Sequence, residues 1–337
     1  MTWFAVRVRR VCPRAVLAIL AAPVLIVGVL IAAGAAQAQT YPTKQVRVLT
    51  GYPPGGPTDI IGRVLTQYLT TAMGQSFYLE GKPGAAGVVA GGILANAPPD
   101  GHTLYIVGLG LVAVNADLYS DMPYDPAKAF APITLLVNLP VVLEVNSKLP
   151  VTSFKEFIAY AKSGAQLNHG SPGIGTVPHL AAELFKSRIG FQSAHVAYKG
   201  SGPFANGMMS GEVQWSFDVP NTAVTLVKGG FARLLGVTSA ERYPNFPETP
   251  TFVELGMPDF VFTTWFGLVA PANTPRAVID RLHDAIAKGW QDPNVVAPLR
   301  TAGLDPTTTT PEETAKIFAA DRTRWGAVVR ENHIKAE

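Results

Sequence analysis

The sequence predicts an α/β fold in two lobes with a cleft between them. Three observations carry that prediction. Short β-rich runs alternate with stretches of helical spacing through most of the chain, the order of parallel sheets covered by helices. Several glycine-rich loops each leave a strand and enter a helix. No single long linker divides the chain, but the runs Ile133 to Asn138 and Thr263 to Val269 look like connections between lobes. If both cross, the lobes are discontinuous: 39–140 with 264–337, and 141–263.

Residues 1–38 are read apart from the rest. Arg7, Arg9, Arg10 and Arg14 form a basic front, residues 15–33 carry no charge, and Ala36-Gln37-Ala38 is an A-x-A pattern. That is the order of a secretory signal peptide cleaved after Ala38. An apolar run of about 19 residues also has the length of a membrane anchor. The small residues crowding Ala38 favour cleavage and export. Cys12 precedes the apolar run and is no lipid attachment site.

The elements follow in order. Val46 to Thr50 is a β-rich run, and Gly51 to Pro57 a Gly/Pro loop. Thr58 to Met73 puts Ile60, Ile61, Val64, Leu65, Tyr68 and Leu69 on one broad helical face, with Gly74 as the stop. Ser76 to Glu80 and Leu104 to Val107 are strands, with a helix ending near Asn96 between them. Thr152 is expected to cap a helix that runs to Lys162 and stops at Gly164. Strands at 167–170, 194–198, 213–219 and 234–238 then alternate with helices at 178–188, after Pro203, and at 221–228. Thr274-Pro275 is expected to open a helix over 276–291. Thr310-Pro311-Glu312-Glu313 is a full capping box.

Composition narrows the function. The chain has 337 residues, 48% hydrophobic and 15% charged, which is enough apolar material for a sizeable core. Setting aside the four arginines of the leader leaves 23 basic against 24 acidic side chains, a formal charge of −1. A nucleic-acid binder needs a basic footprint, so nucleic acid is not an expected partner. One cysteine excludes a disulfide scaffold, a zinc ribbon and an iron–sulfur cluster.

Catalytic motifs are missing. The six histidines form no H-E-x-x-H or H-x₃-H pair, so no metal site is expected. No G-x-S-x-G elbow occurs; Gly170-Ser171-Pro172-Gly173 comes near, but His169 stands where the first glycine belongs. Gly51 to Thr58 has the spacing of a P-loop with proline in place of lysine. No dinucleotide fingerprint follows a strand, and no cofactor is expected. An exported hydrolase built on Ser171 with His179 or His195 stays open as a rival, since triads are assembled in space.

Three loops share one design: Tyr52 to Asp59, Ser171 to Thr176, and Tyr198 to Pro203. Helix N-termini present unpaired N–H groups and partial positive charge, and glycine lets backbone approach a ligand. Such loops suit an anion without any lysine or arginine. The candidate contacts are Tyr52, Pro54, Gly55, Gly56, Thr58, Asp59, Ser171, Gly173, Gly175, Thr176, His179, Tyr198 and Asp218. Each has a plainer reading: a tight connection for the loops, a first-turn acid for Asp59, a turn-starting residue for Asp218, a structural histidine for His179, core aromatics for the tyrosines.

Tyr41-Pro42-Thr43-Lys44 with Gly55-Gly56-Pro57-Thr58-Asp59 resembles the opening of the substrate-binding receptors of tripartite tricarboxylate transporters, the Bug receptors. Pro83-Gly84-Ala85, Pro99 to Leu104, Tyr124-Asp125-Pro126, His195 to Gly200, Val237 to Ala240, Trp265 to Leu268 and Thr310 to Glu313 continue the resemblance in order. It implies a two-lobed periplasmic-binding-protein (Venus-flytrap) fold. It implies a monomeric, non-enzymatic receptor that captures a small mono-, di- or tricarboxylate and delivers it to a two-subunit membrane transporter. A receptor that passes the closed state to a membrane sensor is the alternative. The family's contacts would map onto the loop from Tyr52 to Asp59, the turn from Ser171 to Thr176, and Asp218. The frequent Phe-Asp-Asn is Phe217-Asp218-Val219 here, and Tyr52 stands where Phe is common. A less polar rim suits an aromatic or longer-chain carboxylate.

Overall fold

The structure is a computed structural model and describes residues 41–119 and 121–335, with Thr2, Trp3 and Ala5. The expected leader's apolar run and cleavage site lie outside the described residues. Between Lys44 and Glu337 the chain forms one compact unit built on two five-stranded sheets.

The first sheet has the order β2-β1-β3-β10-β4. Its strands are β1 (Val46–Thr50), β2 (Phe77–Gly81), β3 (Thr103–Gly108), β4 (Phe130–Pro140) and β10 (Thr263–Pro271). β1 runs parallel to β2 and β3, and β10 is antiparallel to β3 and β4. The second sheet, β7-β6-β8-β5-β9, comprises β5 (Val142–Asn146), β6 (Asn168–Ser171), β7 (Ala194–Ala197), β8 (Trp215–Asp218) and β9 (Ala232–Val237). β6 is parallel to β7 and β8, while β5 is antiparallel to β8 and β9. Each sheet thus takes one strand out of chain order, β10 in the first and β5 in the second.

The helices are α1 (Pro57–Met73), α2 (Val88–Ala95), α3 (Leu109–Ala113), α4 (Asn115–Leu118), α5 (Pro126–Ala129) and α6 (Phe154–Lys162). They continue with α7 (Val177–Ile189), α8 (Ser201–Ser210), α9 (Pro220–Lys228), α10 (Arg276–Trp290), α11 (Pro293–Thr301) and α12 (Pro311–Glu331). In α1, Ile61, Leu65 and Leu69 are buried on the predicted face, and Gly74 ends it at φ 70°. The box at Thr310 and Glu313 forms in both directions. Under the second sheet the core is aromatic: Phe157, Phe185, Trp215, Phe217, Phe252 and Phe260 are buried, with centroid separations such as 5.5 Å for Phe185–Phe217 and 4.7 Å for Phe252–Phe260. Burying one such side chain stabilises by about 1.5–3 kcal/mol, and tilted ring pairs add to that.

Three local expectations change. The cap of α6 is Ser153, whose Oγ accepts from Glu156 N; Thr152 instead donates N–H and hydroxyl to the Glu156 carboxylate. Pro275 takes the N-cap position of α10, and Thr274 donates to Pro271 O instead of capping. The runs 133–138 and 263–269 are strand interior: they lie in β4 and β10, hydrogen-bonded to each other, because an apolar β-rich run is better satisfied in a ladder than in a loop. The chain leaves the first sheet after Pro140 and returns at Thr263.

Candidate functional site

The loops that follow β1, β3, β6, β7 and β8 all converge on one recess of about 580 Å³, counting its open mouth. Ligand sites in open α/β sheets lie beyond the carboxyl ends of the strands, and these are such ends. The β1–α1 loop supplies Tyr52, Pro53, Gly56, Pro57 and Thr58. The β3–α3 junction supplies Gly108, Leu109 and Gly110. From the second sheet come Pro172, Thr176, Val177 and Pro178, then Gly200 and Ser201, then Val219. Thr264 and Phe266 of β10 complete the wall. Among the described residues, none that lines the recess carries a charge.

Four helices of nine residues or more begin here: α1, α7, α8 and α9. Their N-cap positions are Gly56, Thr176, Gly200 and Val219, and no side chain caps any of them. By contrast, α6, α11 and α12 are closed by the side chains of Ser153, Asp292 and Thr310, none of which lines the recess. α2 and α10 also start without a side-chain cap, on Gly87 and Pro275. An uncapped start leaves first-turn N–H groups and the positive end of the helix dipole to be satisfied by something else.

The hydroxyls at the recess are held. Thr50 Oγ1 donates to Thr58 Oγ1 at 2.8 Å, which leaves the Thr58 proton to be donated elsewhere. Thr176 Oγ1 donates to Gly173 O at 2.7 Å and keeps its lone pairs. Burial pushes the Tyr52 hydroxyl well above its usual pKa, so it stays neutral.

Of the residues singled out in the sequence, Tyr52, Gly56, Thr58 and Thr176 line the recess. Pro54 and Gly55 are exposed at the loop tip. Asp59 braces that loop: Oδ2 accepts from Gly55 N and Oδ1 from Arg63 Nε, both at 3.1 Å. Gly173 and Gly175 shape the β6–α7 turn, Gly175 at φ 78°. Tyr198 turns away, its hydroxyl donating to Glu212 at 2.8 Å and its ring packing on Phe204. Asp218 is buried behind Val219, whose N–H donates to its Oδ1 at 2.7 Å. Burial holds this carboxyl and that of its buried neighbour Glu144 above the usual carboxylate range, and Asp218 raises Glu144 further.

Ser171 and His195 do meet, Oγ to Nε2 at 2.8 Å. Ser171 is fully buried and also bonds both backbone ends of Gly173. His195 stacks on His179 at 4.0 Å and on His169 at 4.9 Å. Burial, then the neighbouring imidazoles, hold His195 at about 2. His179 accepts from Gly175 N, and burial lowers it to about 4. Both rings line a different recess, beside Glu183 and residues 332–335. A base that weak is poorly matched to drawing a proton from a serine near neutral pH.

Gly108, Leu109, Gly110, Val219 and Phe266 were not among the sequence candidates. Gly108 to Gly110 carry the same strand–glycine–helix signal as the other loops, over a shorter helix. Phe266 and Val219 are apolar and give no signal by type.

Residues 61–334 match the family described as tripartite tricarboxylate transporter family receptor. Protein BugT of Bordetella pertussis is 32% identical over 92% of this chain and 97% of its own length. The solved structure of R. palustris Rpa4515 with adipate is 32% identical, with a TM-score of 0.84 over 88% of this chain and all of that one. MatC from Rhodopseudomonas palustris with bound malate is 30% identical, with a TM-score of 0.80 over 86% of this chain and all of that one.

Proposed function

The chain belongs to the tripartite tricarboxylate transporter receptor family, and on that premise we propose that it captures a small carboxylate in this recess and presents its closed form to a two-subunit membrane transporter. The observation that carries the reading is the convergence of four uncapped helix N-termini on a recess that has no charged side chain among the described residues. Each such terminus favours an anion by about 0.3–1 kcal/mol at an exposed site and up to about 2 where partly buried. Charge-assisted hydrogen bonds contribute about 1.5–3 kcal/mol each. Together with apolar burial, these reach the roughly −8 kcal/mol of a micromolar complex after ordering costs.

The similar structures with adipate and malate support the substrate class. Tyr52, the N–H groups after Gly56, Thr58, Thr176 and Ser201 are the contacts we assign. The two sheets with their helices serve as lobes, 39–140 with 264–337 and 141–263, and ligand that bridges them shifts an open–closed equilibrium toward closed. Export by the N-terminal leader fits the receptor's place in the periplasm. Among the described residues, no helix is long and apolar enough to cross a membrane. The buried Ser171 and the weakly basic His195 argue against hydrolysis.

The test is thermal melting against adipate, malate, citrate and benzoate, with sugars as controls, after unfolding, dialysis and refolding to remove any carried ligand. A carboxylate at about 100 times its dissociation constant should stabilise the protein by about 2.7 kcal/mol, a rise of several degrees. A rise with sugars alone would overturn the reading. Ser171→Ala should leave the ligand-induced rise in place.

A further inference from the structure

We propose that the recess selects carboxylates with an apolar body and rejects those that carry an ammonium group. The proposal rests on the carboxylate reading above and adds what the rest of the ligand must be. Around the helix starts, the lining includes Leu109, Val177, Val219 and Phe266 with Tyr52 and prolines, and its polar side chains are the hydroxyls of Thr58, Thr176, Ser201 and Thr264. With those hydroxyls and the helix N–H groups engaged by the carboxylate, a polar ligand body against the apolar part of the wall would lose its water without a partner, at a cost of about 1–3 kcal/mol per unpaired group.

An ammonium fares worse. In an α-amino acid it sits beside the carboxylate, where four helix N-termini bring partial positive charge. It needs a carboxylate of the protein close by, and the two acids that adjoin lining residues in sequence, Asp59 and Asp218, are engaged elsewhere. Asp59 accepts from Gly55 N and Arg63 Nε, and the Arg63 guanidinium balances its charge. Asp218 faces inward: Oδ1 accepts from Val219 N, and Oδ2 is sealed from solvent. Burial raises the Asp218 carboxyl above its ordinary range, which disfavours a negative charge behind the wall.

The test compares pairs that differ only by the amine, by calorimetric titration of the protein expressed from the full sequence and refolded free of ligand. Glutarate is set against L-glutamate, hexanoate against L-norleucine, and 3-phenylpropanoate against L-phenylalanine, with malate as a polar amine-free acid. In every pair where either member binds, the amine-free member should bind about tenfold tighter or more. The tightest binder should be one of the apolar-bodied acids. An amino acid that equals its amine-free partner, or malate as the tightest ligand, would overturn the proposal and leave the carboxylate reading standing. Failure of every carboxylate would remove that reading and this one together. Val219→Asp, which puts an acid at a position where Asp is a favourable N-cap, should narrow the gap in a pair that binds, and Val219→Asn should not. Equal effects would mean that shape and not charge discriminates. The pairs measured on the unaltered protein decide the matter if neither variant folds.

Discussion

Thr238 and Val141 are joined twice, by Thr238 N donating to Val141 O and by Val141 N donating to Thr238 Oγ1, both at 3.0 Å. Val141 is where the chain passes from the first sheet to the second. The same threonine also holds the return segment. Its Oγ1 donates to Phe262 O at 2.7 Å, and Phe262 N donates to its carbonyl at 3.0 Å. One fully buried residue at the end of β9 therefore ties both crossings together.

Thr238→Val keeps the shape and removes the hydroxyl, leaving Val141 N and Phe262 O unpaired in the interior. The expected loss is about 2–4 kcal/mol, at roughly 1–3 kcal/mol per unsatisfied group. Urea unfolding reads it as a lower midpoint with an unchanged slope, and Thr238→Ser should recover most of it. A loss under about 0.5 kcal/mol would mean that water repairs the joint.

Gly110 and Gly175 bring the two halves of the recess into backbone contact. A Cβ on Gly110 would overlap the carbonyl oxygen of Gly175, and neither group is the end of a flexible side chain. Gly110→Ala should prop the lobes apart. Its affinity for whichever test carboxylate binds should fall about tenfold or more, while the unliganded melting temperature changes little. Unaltered affinity would show that these glycines need not touch in the bound state.

Glu144 and Asp218 make stability fall as pH rises. Glu144 Oε1 and Oε2 and Asp218 Oδ2 are buried without hydrogen-bond partners among the described residues. Burial raises both pKa values, and Asp218 raises Glu144 further. At acid pH the folded and unfolded chains both hold these protons. Above the ordinary carboxyl range the unfolded chain releases them and the folded chain keeps them, so folding weakens until the raised values are passed. Glu144→Gln or Asp218→Asn should gain stability relative to the native chain between about pH 4 and neutrality, by up to about 1.4 kcal/mol per pH unit. Parallel stability curves would refute the assignment of neutral acids.

Glu183 works in the opposite sense. Burial opposes its charge, but hydrogen bonds from His169 and Lys186 win and hold the carboxylate at about 2. Its contribution is complete above the ordinary carboxyl range and is lost as pH falls toward 2. Glu183→Gln should cost about 2–3 kcal/mol at pH 7. The gap should close between about pH 4.5 and 2; a gap that persists at pH 2 would point to packing instead of charge.

The elements that the sequence locates well are those whose signals are local. The face of α1, the stop at Gly74 and the box from Thr310 to Glu313 each act within one or two turns, and all three form. The cap at Ser153 was misplaced by one residue because Thr152 and Ser153 carry the same hydroxyl; only geometry selects the one that reaches Glu156 N.

The recess divides the same way. Glycine-rich loops before helix starts are visible as composition, and Tyr52, Gly56, Thr58 and Thr176 follow from that alone. The inward turn of Asp218, the outward turn of Tyr198 and the apolar wall of Val219 and Phe266 depend on which face of each strand is covered. The sequence by itself determined most of the longer helices, most of the strands, the glycine-rich loops before helix starts and the near balance of basic and acidic side chains, because these depend on spacing and composition along the chain. The tertiary structure decided which sheet each strand joins, the joint at Thr238 and the contact of Gly110 with Gly175. Those strand partners stand from 26 residues apart (Asn168 and Ala194) to 164 (Tyr105 and Val269), and only packing, which acts through space, brings them together.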